Sequence, residues 1–199
     1  MIFSGFKWVV NHVVYFTPNS LLPRSLSHLS DGRISYDIGA ELYLTARMIF
    51  AGLLASLIPK SEVVAIAVAL IQICSIVYLM RIVFMLNEIR IKDPGRSLFF
   101  AFGHYIELAL SMGYIYWVHG GLHNADGSRQ DAIYFSFVSM TTAGYGDIYP
   151  EHSLHAIVVC HLVTSIFMLA TVIALFLSLT ASNPGREALV IKRGRTIED

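Results

Sequence analysis

Four runs of predominantly apolar residues, each long enough to cross a bilayer, constrain this chain more than anything else in it. They cover residues 39–58, 63–86, 98–118 and 154–180. A helix needs about 20 such residues to span the hydrocarbon, and a small water-soluble core has no use for four of them. Composition agrees: 55% of the 199 residues are hydrophobic and 14% charged, where a soluble domain carries roughly 25% charge. The second solvent is therefore lipid. A formal net charge of zero leaves no basic surface for nucleic acid and no block of like charges for a disordered tail. Cys74 and Cys160 both fall inside apolar runs and read as small buried hydrophobes without metal-ligand or disulfide spacing.

Basic residues orient the spans. With the N-terminus in the cytoplasm, Lys7, Arg24, Arg33, Arg90, Lys92, Arg96, Arg186, Lys192, Arg193 and Arg195 lie inside. Only Lys60 and Arg129 lie outside, while Arg47 and Arg81 fall within spans. That asymmetry is the positive-inside pattern, and four spans return the C-terminus to the cytoplasm. The opening MIFSGFKWVVNHVVYF lacks a basic-then-apolar signal pattern and is read as mature protein, lying in the interface with Lys7 and Trp8 at headgroup depth. Residues 17–38, with Pro18, Pro23 and several serines, read as a cytoplasmic loop.

Between the third and fourth runs the sequence changes character. Loop residues HGGLHNADGSRQ (119–130) lead into the apolar decamer DAIYFSFVSM (131–140), followed by TTAGYGDIYP (141–150). Ten residues of helix reach about 15 Å, half of a span. Such a segment dips into the membrane and returns. Irregular backbone at membrane depth is tolerated only where protein buries it or where it lines a water-filled cavity, so the dip implies a pore. An extended strand aims successive carbonyls at one axis only if alternate residues take conformations unfavourable to L-residues, which Gly144 and Gly146 adopt without a Cβ clash. Carbonyls so aimed, with the Thr142 hydroxyl below them, replace the hydration shell of a monovalent cation. Asp131 suits the positive N-terminal end of the half-helix, and its carbonyl end favours cations.

Residues 131–150 resemble the pore helix and selectivity filter of the potassium channel superfamily, whose consensus is T-x-G-Y-G-D. The resemblance extends over residues 97–183, taken as outer helix, pore loop and inner helix. It implies an all-α integral membrane protein with four transmembrane helices, a re-entrant pore helix and a filter, assembled as a homotetramer because one chain holds one filter copy. It implies K+ coordinated at Thr142, Ala143, Gly144 and Tyr145, with Gly146 completing the filter and Thr141 supporting it. The Tyr145 ring is expected to turn from the ions into an aromatic cuff, and Asp147 to sit at the outer mouth. In many relatives a pore-helix Trp bonds that Asp; here the position is Tyr134, whose hydroxyl can serve. Ala143 replaces the usual Val or Ile. Val138 stands where some members carry a Glu paired to the filter Asp.

The remaining features bear on gating. Residues 151–183 contain neither Gly nor Pro, so the inner helix is expected to lack a mid-span hinge. A voltage sensor needs Arg or Lys at every third position of a helix, and Arg81 alone does not supply it. The tail 184–199 is too short for a soluble sensor domain. Glu107 and His161 are candidates for an intramembrane polar pair, with Glu107–Arg47 the alternative, and His104 and Ser111 share the Glu107 face of their helix. The expected organisation is a cytoplasmic segment 1–38, two peripheral spans and a linker over 39–96, the pore domain over 97–183, and a tail. The expected role is passive K+ conduction in the plasma membrane, with no enzymatic constellation, no organic cofactor and no partner beyond lipid and further copies. Two rivals stand beside it: a weakly selective cation channel, or a non-conducting structural or regulatory subunit.

Overall fold

The computed structural model describes residues 36–84 and 94–181, with the isolated positions Leu21, Ser25 and His28. The interfacial helix expected in residues 1–16, most of the 17–38 loop, Arg90, Lys92 and the tail lie outside the described residues, as does the side chain of Arg81. The chain forms α1 (Tyr36–Ser56), α2 (Glu62–Phe84), α3 (Pro94–His119), β1 (Leu122–His123), α4 (Arg129–Met140), β2 (Tyr149–Pro150), a 3-10 turn (His152–Leu154) and α5 (His155–Ala181).

Two of these helices are long and apolar enough to cross a membrane, over Gly95–His119 and His152–Leu177. The other two expected spans fall on α1 and α2. α1 carries Asp37, Glu41 and Arg47, which dilute its apolar content, and the fully described part of α2 (Glu62–Ser75) is apolar but short. α5 runs unbroken, as a stretch without Gly or Pro should.

α3 is the hub, packing against α1, α2, α4 and α5. Its buried face supplies Leu108, Ala109, Met112, Tyr114, Ile115 and Tyr116. Gly113 sets the closest approach: a Cβ there would stand 2.8 Å from the Ile133 Cα, so only glycine lets α4 seat this tightly. From the other side, Phe135 of α4 meets Tyr116 edge-on at 5.0 Å, and Ser136 donates to the Ala109 carbonyl at 2.7 Å. That bond satisfies a buried hydroxyl at a helix–helix contact.

Beside this apolar core the burial pattern departs from a soluble protein's. Arg47, Gln72, Glu107, His161, Thr164 and Thr171 are buried, whereas Ile49, Val63, Leu70, Val159, Ile166 and Phe176 are exposed. Polar groups facing inward and branched apolar groups facing outward are what lipid as solvent selects.

α4 begins two residues before the expected decamer. Ser128 caps it by accepting the Asp131 N–H at 3.1 Å, and the Asp131 carboxylate in the first turn accepts the Asp126 N–H at 2.9 Å. Both groups complement the free N–H groups and positive end of the helix. Its 12 residues give about 18 Å, still well short of a span. Beyond the filter, β1 and β2 pair antiparallel, Leu122 opposite Pro150 and His123 opposite Tyr149. This ribbon ties the start of the outer loop to the exit of the filter.

Candidate ion-conducting site

The end of α4 turns into the filter without leaving a carbonyl idle. A helix leaves its last four C=O groups unpaired, here those of Phe137, Val138, Ser139 and Met140. Thr141 donates from N and Oγ1 to the Phe137 carbonyl, at 2.9 and 2.7 Å. Thr142 N donates to Ser139 at 3.1 Å, and the N–H groups of Ala143 and Gly144 share the Val138 carbonyl at 3.1 and 3.3 Å. Met140 accepts the Tyr105 hydroxyl at 3.1 Å. Thus the Val138 carbonyl and the Thr141 hydroxyl tie residues 141–144 to the end of α4. The half-helix dipole remains, but its terminal carbonyls are taken by the filter's own N–H groups.

Past this knot the backbone alternates. Thr142, Gly144 and Gly146 have φ of 60°, 54° and 76°. Every second residue is left-handed, and the residues between are not. For glycine this is ordinary, but for the β-branched Thr142 it is an outlier that the surrounding hydrogen bonds must hold. A Cβ built on Gly144 or Gly146 would meet nothing within 4 Å; the demand for glycine there is conformational and not steric.

Residues 141–147 are all exposed in the single chain, the Tyr145 ring 73% so. The aromatic cuff that the pore helix was to supply around Tyr145 is not formed within the chain. Asp147 is held instead. Its carboxylate accepts the Tyr134 hydroxyl at 2.7 Å and its carbonyl accepts from Asn124 Nδ2 at 3.1 Å. The Tyr134 bond is the main cause that lowers the Asp147 carboxyl below its ordinary range. The same bond pushes the Tyr134 phenol up to about 12.

Glu107 and His161 do not pair. Glu107 takes both its oxygens to Arg47 Nη2 at 2.9 Å, accepts Gln72 Nε2 at 2.7 Å, and contacts His104 Nδ1. Arg47 Nη1 reaches Ser75 Oγ at 2.7 Å. His161 instead sets Nδ1 3.1 Å from the Tyr116 hydroxyl. The reason is position: Glu107 lies on the face of α3 toward α1 and α2, where Arg47 Nη2 donates to both carboxylate oxygens in a charge-assisted contact. Tyr116 occupies the place beside His161.

Lys60 and Arg129 stand far apart in the sequence. The structure brings them together on one indole. Arg129 Cζ lies 4.1 Å and Lys60 Nζ 5.1 Å from the Trp117 ring centroid. Arg129 also donates to the Ile58 carbonyl at 2.6 Å, and Tyr114 to that of Pro59 at 2.8 Å. The α1–α2 turn is thereby fastened to the first residue of α4.

Residues 104–182 match the family model described as "Ion channel". This stretch is similar to an ion channel domain. It falls within the 97–183 segment and holds all but the first turns of α3, the whole of α4 and the filter, and α5. The match supports the resemblance to the potassium channel superfamily and points to ion transport across a membrane. No curated protein and no solved structure matches the chain.

Proposed function

We propose that the chain is the pore-forming subunit of a potassium-selective channel of the cell membrane, four copies surrounding one axis. The observation that carries this reading is the alternation of positive φ at Thr142, Gly144 and Gly146, directly after a half-length helix. Alternating handedness turns successive peptide planes the same way, so that carbonyls of Thr142, Ala143, Gly144 and Tyr145 present one row of oxygens. Four such rows, with the Thr142 hydroxyls at the inner end, replace the water around K+ and let ions pass in single file down their gradient.

Exposure of the whole 141–147 segment supports assembly, since unshielded irregular backbone at membrane depth requires protein or pore water around it. The bare Tyr145 ring is where a neighbouring subunit would pack. Asp147 and Glu151 near the mouth raise local cation concentration. The Lys60–Trp117–Arg129 contact supports a four-span topology with both termini cytoplasmic. It gathers at one end of the helices the two cations assigned to the outside. An unbroken α5, and a sequence that offers Arg81 as the one basic residue of its apolar run, support gating at the filter or by rigid movement of α5, without voltage sensing.

The test is flux from liposomes bearing the purified protein, with K+ and Na+ gradients applied separately and barium as blocker. Barium-sensitive K+ flux without Na+ flux supports selective conduction. Equal flux of both ions means that Ala143 leaves the filter too loosely supported to discriminate. No flux of either ion means a structural or regulatory subunit.

A further inference from the structure

The outer rim between the filter exit and α5 carries two side chains that conduction does not use. His152 opens the 3-10 turn and His155 opens α5. Both are exposed. Their Nδ1 atoms face each other at 3.0 Å, with ring centroids 4.8 Å apart and planes inclined by 66°. Two imidazole nitrogens this close share a single proton, one donating and the other accepting with its lone pair. The backbone fixes their separation: the His155 N–H donates to the His152 carbonyl. Leu154 between them is buried in the core, and Glu151 N donates to Gly121 O at 2.7 Å just before the turn.

We propose that His152 and His155 form a two-toothed site for a divalent transition-metal cation, Cu2+ or Ni2+ ahead of Zn2+. Imidazole nitrogen sits about 2.0–2.1 Å from such an ion, so a nitrogen separation of 3.0 Å subtends about 94° at it. That angle suits the about 90° of a tetragonal shell, and Cu2+ stands first because it heads the affinity order of divalent ions for nitrogen ligands. For the cation to bind, the ring that donates from Nδ1 passes that proton through solvent to its own Nε2, which leaves both Nδ1 lone pairs free for the metal with no net loss of a proton. Among the described residues no group of three or more His, Cys, Asp and Glu converges on one position, so water completes the shell. The positive end of α5 opposes a cation, but a helix terminus costs less than about tenfold in affinity, which chelation by two imidazoles outweighs. The site does not depend on the channel reading, and neither does its test.

The experiment is Cu2+ titration of the purified full chain in detergent, read by calorimetry and by electron paramagnetic resonance. One Cu2+ per subunit should bind with nitrogen hyperfine structure. His152→Ala and His155→Ala should each lower the affinity at least tenfold. His119→Ala and His123→Ala, which alter other exposed histidines near this rim, should leave it within twofold. Three results overturn the proposal: no nitrogen-ligated Cu2+ in the wild type, unchanged binding in either the His152 or the His155 variant, or an equal loss in the His119 or His123 variant.

Discussion

Arg47 on α1 and Glu107 on α3 are joined by two hydrogen bonds of 2.9 Å, with 7% and 4% of each residue exposed. Gln72 and Ser75 of α2 bond the same pair, so three helices meet at one charge-paired knot. Taking one partner away strands a charge out of water, which costs about 3–5 kcal/mol. Arg47→Ala and Glu107→Ala should each lower the thermal unfolding midpoint in detergent. The double variant Arg47→Met, Glu107→Met should recover most of the loss. A double variant as unstable as the singles would show that the knot does more than satisfy its own charges.

The mouth should be pH-sensitive through Asp147. Its folded carboxyl is lowered, chiefly by the Tyr134 hydroxyl, so the contact is fully present above the ordinary carboxylate range. It is lost as pH falls through the lowered value. Tyr134→Phe removes the main lowering cause, and acid loss of K+ flux should then begin at higher pH. Superimposable flux–pH curves for wild type and variant would refute this.

Gly144 and Gly146 should resist substitution for a reason separable from packing. An added Cβ meets nothing within 4 Å at either position, leaving the left-handed conformation as the whole penalty, about 1–2 kcal/mol. Gly144→Ala and Gly146→Ala should therefore lower the melting midpoint by only a few degrees, while degrading K+ over Na+ discrimination in liposome flux out of proportion to that loss. Retained discrimination would mean the carbonyls do not depend on these φ values.

Gly113 should fail differently. Its added Cβ would sit 2.8 Å from the Ile133 Cα, and overpacking of this kind costs about 1–3 kcal/mol. Gly113→Ala should lower the melting midpoint and the K+ flux together. Adding Ile133→Ala should not rescue it, because the nearest obstacle is backbone. Rescue would show that the side chain was the obstruction.

Arg129 holds the α1–α2 turn to the pore helix through the Ile58 carbonyl and the Trp117 face. Arg129→Gln forfeits the cation–π contact and weakens the hydrogen bond, together about 1–3 kcal/mol. Faster amide hydrogen exchange at residues 57–61 and around the start of α4 should follow; unchanged exchange would leave the contact without mechanical weight.

What could be read from the chain depended on how local the cause was. The short apolar decamer, Asp131 at its start and the spacing of Gly144 and Gly146 foretold a half-helix and a left-handed alternation, since each follows from neighbours within a few residues. The absence of Gly and Pro likewise foretold an unbroken α5. Thr142 was expected to contribute a hydroxyl, yet it also has positive φ, which its β-branched side chain argues against locally. Its partners on α4 hold it there.

The sequence by itself determined the apolar helices, the half-length α4 and the glycines of the alternating backbone after it, because length, hydropathy and glycine chemistry act along the chain. Only the tertiary structure decided who partners whom. Glu107 could have met His161 or Arg47; helix packing placed α1 beside it and gave His161 to Tyr116. Lys60 and Arg129 were separate charges until Trp117 stood between them, and His152 and His155 became a chelating pair only when one turn closed. Such choices rest on distances between elements, and no local pattern carries them.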